Sequence, residues 1–104
     1  MMFAFALSIQ ANENKKIKEN NNVIALSGTL IDADSNELLT GVAVRIEGAN
    51  QIVYTDFDGN FSFENLKPGN YIISAEYVSY KKHVKQIALT PSDSHYTIKL
   101  KSLK

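Results

Sequence analysis

The stretch TDFDGNFSF (residues 55–63) joins the signal of a tight turn to an alternating apolar and polar run. Asp58-Gly59 provides the positive backbone φ that a tight hairpin turn requires. Phe61 and Phe63 stand two residues apart, so both rings lie on one face of an extended strand. The stretch therefore predicts a strand with one buried face, entered through a tight turn.

Similar runs lie on both sides of this stretch, separated by turn residues roughly every 8–12 positions. Between two of them, Lys67-Pro68-Gly69-Asn70 places Pro before Gly, as a type II turn requires. Short connections make consecutive strands antiparallel. The sequence predicts an all-β fold, a seven-stranded antiparallel Greek-key β-sandwich. The predicted strands are residues 23–31, 42–47, 51–55, 61–64, 71–78, 83–89 and 95–101.

Apolar side chains that recur at period two identify the predicted core. The opposite faces of the same strands are mostly polar, with Ile72 and Val78 as exceptions. Near the loop ends, Tyr54, Phe57 and Tyr80 are candidates for an aromatic binding face. The predicted inward residues are Leu26, Leu30, Val42, Val44, Ile46, Phe61, Phe63, Tyr71, Ile73, Ala75, Tyr77, Ile87, Leu89, Tyr96, Ile98 and Leu100.

Length and composition restrict the class of protein. A chain of 104 residues has room for one domain with one core. Its formal net charge is zero, whereas nucleic-acid-binding domains carry a basic stripe, so no nucleic-acid partner is expected. The absence of cysteine excludes thiol nucleophiles, thiolate metal sites and disulfides.

The first residues indicate export. Residues 1–11 (MMFAFALSIQA) are mostly apolar and rich in small residues, which is typical of the end of a signal peptide. Residues 12–22 form a polar leader that we expect to be flexible, and residues 23–104 form the predicted domain. No transmembrane span is expected, because about 20 apolar residues are needed to cross a bilayer. The predicted location is periplasmic, outer-membrane-associated or secreted.

Several motifs occur in a fixed order along the domain. They are Leu26-x-Gly28-x-Leu30-x-Asp32, Glu37-Leu38-Leu39-Thr40-Gly41-Val42-x-Val44-x-Ile46-x-Gly48, Thr55-Asp56-x-Asp58-Gly59-x-Phe61-x-Phe63, Leu66-x-x-Gly69-x-Tyr71 and Tyr77-Val78-x-Tyr80-Lys81. In these motifs, residues 24–100 resemble the carboxypeptidase regulatory-like domain, a transthyretin-like sandwich. Many relatives have glycine where this chain has Ser79.

The resemblance implies an exported accessory module. Such domains occur beside the catalytic domain of metallocarboxypeptidases, or ahead of the plugs and barrels of outer-membrane transporters in Bacteroidetes-like bacteria. The resemblance is specific for the fold and much less so for function.

The sequence contains no set of residues typical of catalysis. The two histidines, His83 and His95, stand at predicted strand starts, where a solvated side chain is the usual arrangement. No Gly-x-Ser-x-Gly, P-loop or His-Glu-x-x-His motif is present. We therefore predict a protein that is not an enzyme. A distant alternative is the transthyretin-like hydrolase family, which this chain resembles poorly because it lacks that family's early histidine and Tyr-Arg-Gly-Ser ending.

Strand parity brings distant loops together, because the connections after the first, third and fifth strands must share one end of the sandwich. These connections lie near residues 32–41, 56–60 and 79–82. Charge is also segregated: seven acids and only Arg45 lie between residues 32 and 64, and six lysines and only Asp93 between 81 and 104. The candidate binding residues are Asp32, Asp34, Glu37, Asp56, Asp58, Tyr80, Lys81 and Lys82.

The predicted function is that of a non-catalytic binding or accessory module whose partner is an envelope protein or a glycan. We expect a monomer without a cofactor. Calcium-dependent ligand binding is the alternative, with Asp56 and Asp58 as candidate metal ligands, since calcium prefers oxygen ligands. The glycine and distal glutamate of an EF-hand loop are not at the required positions, and short Asp-Gly turns often use aspartate to cap the backbone.

Overall fold

The computed structural model describes residues 22–104, in which strands are joined by turns and short irregular segments. The predicted signal segment (1–11) and the leader (12–22), except for its last residue, lie outside the described part of the chain. The strands are β1 (Ile24–Asp32), β2 (Ala43–Ile46), β3 (Gln51–Tyr54), β4 (Asn60–Leu66), β5 (Gly69–Glu76), β6 (His83–Leu89) and β7 (His95–Leu100).

The strands form two sheets, one in the order β4-β1-β7 and the other in the order β3-β2-β5-β6. The predicted seven-stranded all-β sandwich is thereby confirmed. One pair departs from the predicted antiparallel arrangement: β1 and β7 run parallel, with Ser27 opposite His95 and Asp32 opposite Leu100. Parity explains this pair, because each short connection reverses the chain and so the first and seventh strands point the same way. The Greek-key connectivity stays a prediction.

The core lies between the sheets and confirms most of the predicted inward residues. Three predicted core tyrosines, Tyr71, Tyr77 and Tyr96, are half-buried and pack against the core. Leu39 and Leu66 are buried, although the alternation of the sequence did not indicate them. The buried apolar residues are Leu26, Leu30, Leu39, Val42, Val44, Ile46, Phe61, Phe63, Leu66, Ile73, Ala75, Ile87, Leu89, Ile98 and Leu100.

Gly28 makes room for a core ring at the centre of the three-stranded sheet. It pairs with Phe61 on β4 and with Tyr96 on β7. A Cβ atom at Gly28 would meet the Tyr96 carbonyl oxygen and lie 2.6 Å from Cε2 of Phe61. The missing side chain of Gly28 therefore allows the Phe61 ring to cover the middle strand.

The turn at Asp58-Gly59 has the predicted positive φ, since Gly59 adopts φ 75°. It is not a hairpin within one sheet, because β3 belongs to the four-stranded sheet and β4 to the three-stranded sheet. The Gly59 carbonyl accepts a hydrogen bond from the Leu30 amide, which fixes the turn against β1. This turn therefore carries the chain from one sheet to the other.

Candidate functional site

One end of the sandwich collects the connections that follow β1, β3 and β5, together with the residues that follow β7. We call this end the loop pole and define it as residues 33–42, 55–59, 77–82 and 101–104. Backbone hydrogen bonds join its parts: Gly41 N to Thr55 O at 2.9 Å and Lys81 N to Lys101 O at 2.8 Å. The residues after β7 were not part of the predicted site.

Thr55 fastens two segments of the loop pole to each other. Its buried hydroxyl donates to the Leu39 carbonyl at 2.6 Å and accepts from the Val42 amide at 2.9 Å. Both hydrogen-bonding roles of the hydroxyl are thus met by backbone groups of the first loop. The arrangement holds residues 39–42 in place beside the turn that follows β3.

Asp32, at the end of β1, fastens the first loop to the third. Its Oδ1 accepts from the amides of Asp34 at 2.7 Å and Ser35 at 2.9 Å. Its Oδ2 accepts from the Tyr80 hydroxyl at 2.5 Å. Asp32 is buried, and both of its carboxylate oxygens are occupied by groups of the chain itself.

The contact between Asp32 and Tyr80 shifts both pKa values. The Tyr80 hydroxyl, followed by the Ser35 and Asp34 amides, stabilises the carboxylate and lowers the pKa of Asp32 from 3.8 to about 2. The carboxylate in turn disfavours loss of the phenolic proton and raises the pKa of Tyr80 from 10.0 to about 12. At neutral pH the pair is therefore a charge-assisted hydrogen bond between loops.

The other predicted binding residues lie at the same pole but have different surroundings. Asp34, Glu37, Asp58, Lys81 and Lys82 are exposed. The backbone carbonyl of Glu37 accepts from the Asp32 amide, so this residue closes the turn after β1. Tyr80 is not an exposed aromatic: it is half-buried and packs against the core. Its ring lies beside that of Tyr77, with centroids 5.7 Å apart and planes tilted by 33°.

Asp56 caps the turn that it begins. Its Oδ1 accepts from the amides of Asp58 and Asn60, both at 2.9 Å. Asp56 therefore has the turn-capping role that aspartate often has in short Asp-Gly turns. Within residues 22–104, no three side chains of histidine, cysteine, aspartate or glutamate lie close enough together to hold a metal ion.

The most conspicuous feature of the loop pole is apolar. Each of its four segments exposes a large apolar side chain: Leu38 is 51% exposed, Phe57 90%, Val78 79% and Leu103 62%. Phe57 was a candidate because of its place in the turn, and Val78 stood out as an apolar residue on a polar face. Leu38 and Leu103 had no such signal, since nothing in their local sequence distinguishes an exposed leucine from a buried one.

No helix within residues 22–104 is long and apolar enough to cross a membrane.

Comparison with solved structures shows similar sandwich domains in larger proteins. A type II cohesin–X–dockerin complex from Acetivibrio cellulolyticus matches 76% of this chain and 58% of its own, with 18% identity and a TM-score of 0.65. A streptococcal ancillary pilin matches 78% of this chain and 30% of its own, with 16% identity and a TM-score of 0.62. The Bacillus anthracis TIE protein matches 78% and 16%, with 23% identity and a TM-score of 0.61.

Sequence comparison identifies the family. Colossin-A of Dictyostelium discoideum is 50% identical over 44 residues, which cover 38% of this chain and, to the nearest per cent, 0% of that protein. The chain thus spans a small part of this relative, and 58% or less of each structure described above. Residues 26–104 match the family of the CarboxypepD_reg-like domain. This match, together with the motifs and the two-sheet sandwich, shows that the chain belongs to the CarboxypepD_reg-like domain family.

Proposed function

We propose that this chain is a non-catalytic, exported accessory module that docks on a protein of the cell envelope through the loop pole. The observation that carries the proposal is the exposure of Leu38, Phe57, Val78 and Leu103 on four segments that meet at one end of the sandwich. A few side chains near the centre of an interface, aromatic ones above all, supply most of its binding energy when they enter pockets of the partner, and Phe57 is such a side chain here.

The framework beneath these side chains supports docking. Thr55 holds the first loop to the second, and the Asp32–Tyr80 hydrogen bond holds the first to the third. The amide of Leu103 donates to the Ser79 carbonyl at 2.9 Å, which places the last segment beside the third loop. A surface that is ordered before binding loses less conformational entropy when the partner arrives.

Charge around the apolar side chains favours an oriented partner. The first and second loops carry the exposed acids Asp34, Glu37 and Asp58. The third loop and the last segment carry exposed lysines, and these are Lys81, Lys82, Lys101 and Lys104. A partner with apolar pockets and charge of both signs fits this pole, because complementary charge sets the orientation of docking.

The related structures support an accessory role. Similar domains form part of a larger chain in a cohesin–X–dockerin complex and in a streptococcal ancillary pilin. The apolar residues 1–11 support export.

Site-specific photocrosslinking tests the proposal. The full chain, with a photoreactive phenylalanine analogue at Phe57 or Val78, is expressed in its native cell and irradiated. We expect both positions to crosslink to the same envelope protein, because both side chains lie on the docking surface. Val84 is the matched control position, since it is a 57% exposed apolar residue on β6, outside the loop pole.

Specificity is then measured with Phe57→Ser and Val78→Ser in the purified pair. Each substitution is expected to weaken binding about tenfold or more, as loss of an interface anchor does. Equal crosslinking from Val84, or unchanged affinity in both variants, would show that the loop pole is not the docking surface.

A further inference from the structure

A second surface, separate from the apolar side chains of the loop pole, lies where β3 borders the three-stranded sheet. Here the structure has an open groove of about 480 Å³. The side chains that matter for recognition are those of Ser27, Tyr54, Asp56, Asn60, Ser62 and His95. They come from four separate parts of the sequence. The pairing of β4, β1 and β7 brings together Ser27, Asn60, Ser62 and His95. Tyr54 at the end of β3 and Asp56 in the turn after it complete the groove.

The floor of the groove is built from hydrogen-bonding side chains in register. Ser62, Ser27 and His95 stand opposite one another across the sheet. Asn60 and Thr29 form the start of the next row. The outward face of the sheet at this point is therefore covered by hydroxyl, amide and imidazole groups, with no lysine or arginine among the residues that line the groove.

Contacts within the floor fix some atoms and leave others for a ligand. The Thr29 hydroxyl donates to Asn60 Oδ1 at 2.7 Å, which leaves the two amide hydrogens of Asn60 as donors. Ser27 Oγ lies 3.0 Å from His95 Nδ1, which leaves Nε2 of that ring. The backbone amides of Asp58 and Asn60 occupy Asp56 Oδ1, and Oδ2 is left as an acceptor.

One wall of the groove is aromatic. Tyr54 ends β3 and is 63% exposed, so most of this residue is open to solvent. An exposed tyrosine offers a flat apolar face together with a polar hydroxyl.

We propose that this groove binds a neutral saccharide. Sugar hydroxyls each donate and accept hydrogen bonds, which matches the mixture of free donors and acceptors on Asn60, Asp56 and His95. The apolar face of a sugar ring matches the ring of Tyr54. A phosphate or a uronic acid does not fit, since the carboxylate of Asp56 lines the groove and repels anions. The groove shares only Asp56 with the loop pole, and this proposal does not rest on docking at that pole.

The test is a titration of the full chain, labelled with ¹⁵N, against cellohexaose, xylohexaose, mannohexaose and maltohexaose at millimolar concentration. We expect at least one to bind with a dissociation constant of about 0.1–1 mM. The amide shifts should centre on Ser27, Tyr54, Asn60, Ser62 and His95. A hexamer of galacturonic acid serves as the charged comparison and should bind more weakly.

Variants separate stacking from general effects on the surface. Tyr54→Ala should weaken binding about tenfold, whereas Tyr54→Phe should retain it, because the ring supplies the contact. His95→Ala is a second variant at an exposed position and should also weaken binding. Val84→Ala is the control, because Val84 lies on β6, at the edge of the four-stranded sheet opposite to β3, and this variant should leave saccharide binding unchanged.

The proposal is overturned if none of the four neutral hexasaccharides shifts the groove amides, or if the galacturonic acid hexamer binds more tightly than all of them. It is also overturned if Tyr54→Ala and His95→Ala both bind as well as the unmodified chain. Phe57→Ser should leave saccharide binding intact, so failure of docking at the loop pole and failure of this site are distinguishable.

Discussion

At Gly28, the addition of a single methyl group should have a large effect on the stability of the domain. Its missing side chain is replaced by the Phe61 ring, and the nearest atom on the other side is a backbone oxygen of Tyr96, which cannot move without disturbing β7. Gly28→Ala should therefore destabilise the domain by about 3 kcal/mol, toward the upper end of overpacking effects. Urea unfolding measures the change.

Gly48→Ala is the matched control for Gly28→Ala. Gly48 has open space around it but adopts φ 83°, so alanine there should cost only about 1–2 kcal/mol from backbone strain. A loss at Gly28 equal to or smaller than the loss at Gly48 would contradict the role assigned to the Phe61 contact.

At the scale of single residues, what the sequence predicted depended on local signals. The positive φ of Gly59 follows from Asp-Gly, and Asp56 fulfils the capping role that such turns allow. Ser79 adopts φ 70°, a conformation that suits glycine better than a residue with a side chain. The partners of His95 and Tyr80 were not predictable, because Ser27 and Asp32 are 68 and 48 residues away in sequence.

At the scale of strands, the period-two pattern predicted all seven strands but not their irregularities. The register between β1 and β4 is irregular near their ends: Ile24 pairs with Leu66, but Leu26 pairs with Phe63. This bulge adds a residue to β4, and Asn65 adopts φ 62° within it. The bulge offsets the alternation of β4, so Leu66 turns inward although strict alternation places it outside.

The turn before β5 also differs from the prediction. Gly69 adopts φ 155°, which does not match the type II turn predicted for Pro68-Gly69.

The Asp32–Tyr80 hydrogen bond links two loops and should make stability depend on pH in two ranges. The pKa of Asp32 is lowered to about 2, so its contribution is present above pH 3.8 and is lost as pH falls toward 2. The pKa of Tyr80 is raised to about 12, so its contribution is present below pH 10.0 and is lost as pH rises toward 12. Thermal unfolding between pH 2 and 12 should show both declines.

Tyr80→Phe tests this link without removing the ring from the core. The variant should be less stable at neutral pH, and its stability should change less than that of the unmodified chain in both ranges. Tyr54→Phe is the control, because the Tyr54 ring lies outside this pair. If Tyr80→Phe retains the same acid and alkaline declines, the loops are not held together by this hydrogen bond.

At the scale of the whole molecule, residues 22–104 should fold alone as a monomer rich in β-structure. Their two sheets enclose a continuous apolar core. Circular dichroism should show no substantial helix, and gel filtration should give the monomer mass.

Removal of residues 102–104 should lower the melting temperature, because the Leu103 amide donates a hydrogen bond to the Ser79 carbonyl and Ser102 pairs with Tyr80. An unchanged melting temperature would exclude this segment from the folded unit.

The arrangement of the candidate site was predictable only in part at this scale. Parity alone predicts that the loops after β1, β3 and β5 share one end, and the structure places Asp32 against Tyr80 there. Which side chains point outward depends on packing between the sheets, so the burial of Tyr80 and the exposure of Leu38 required the structure. The groove beside β3 required the lateral order of the strands, which the sequence does not encode locally.

The parallel pairing of β1 and β7 also determines how the domain responds to mechanical load. Ile24 lies at the end of the sandwich opposite the loop pole, whereas Leu100 lies at the loop pole, and the two strands are direct neighbours. Tension applied between these points pulls the strands along their own length in opposite directions. The six register pairs from Ser27–His95 to Asp32–Leu100 are then loaded together in shear, rather than opened one after another. A domain built this way resists tension along its axis through the whole β1–β7 pair.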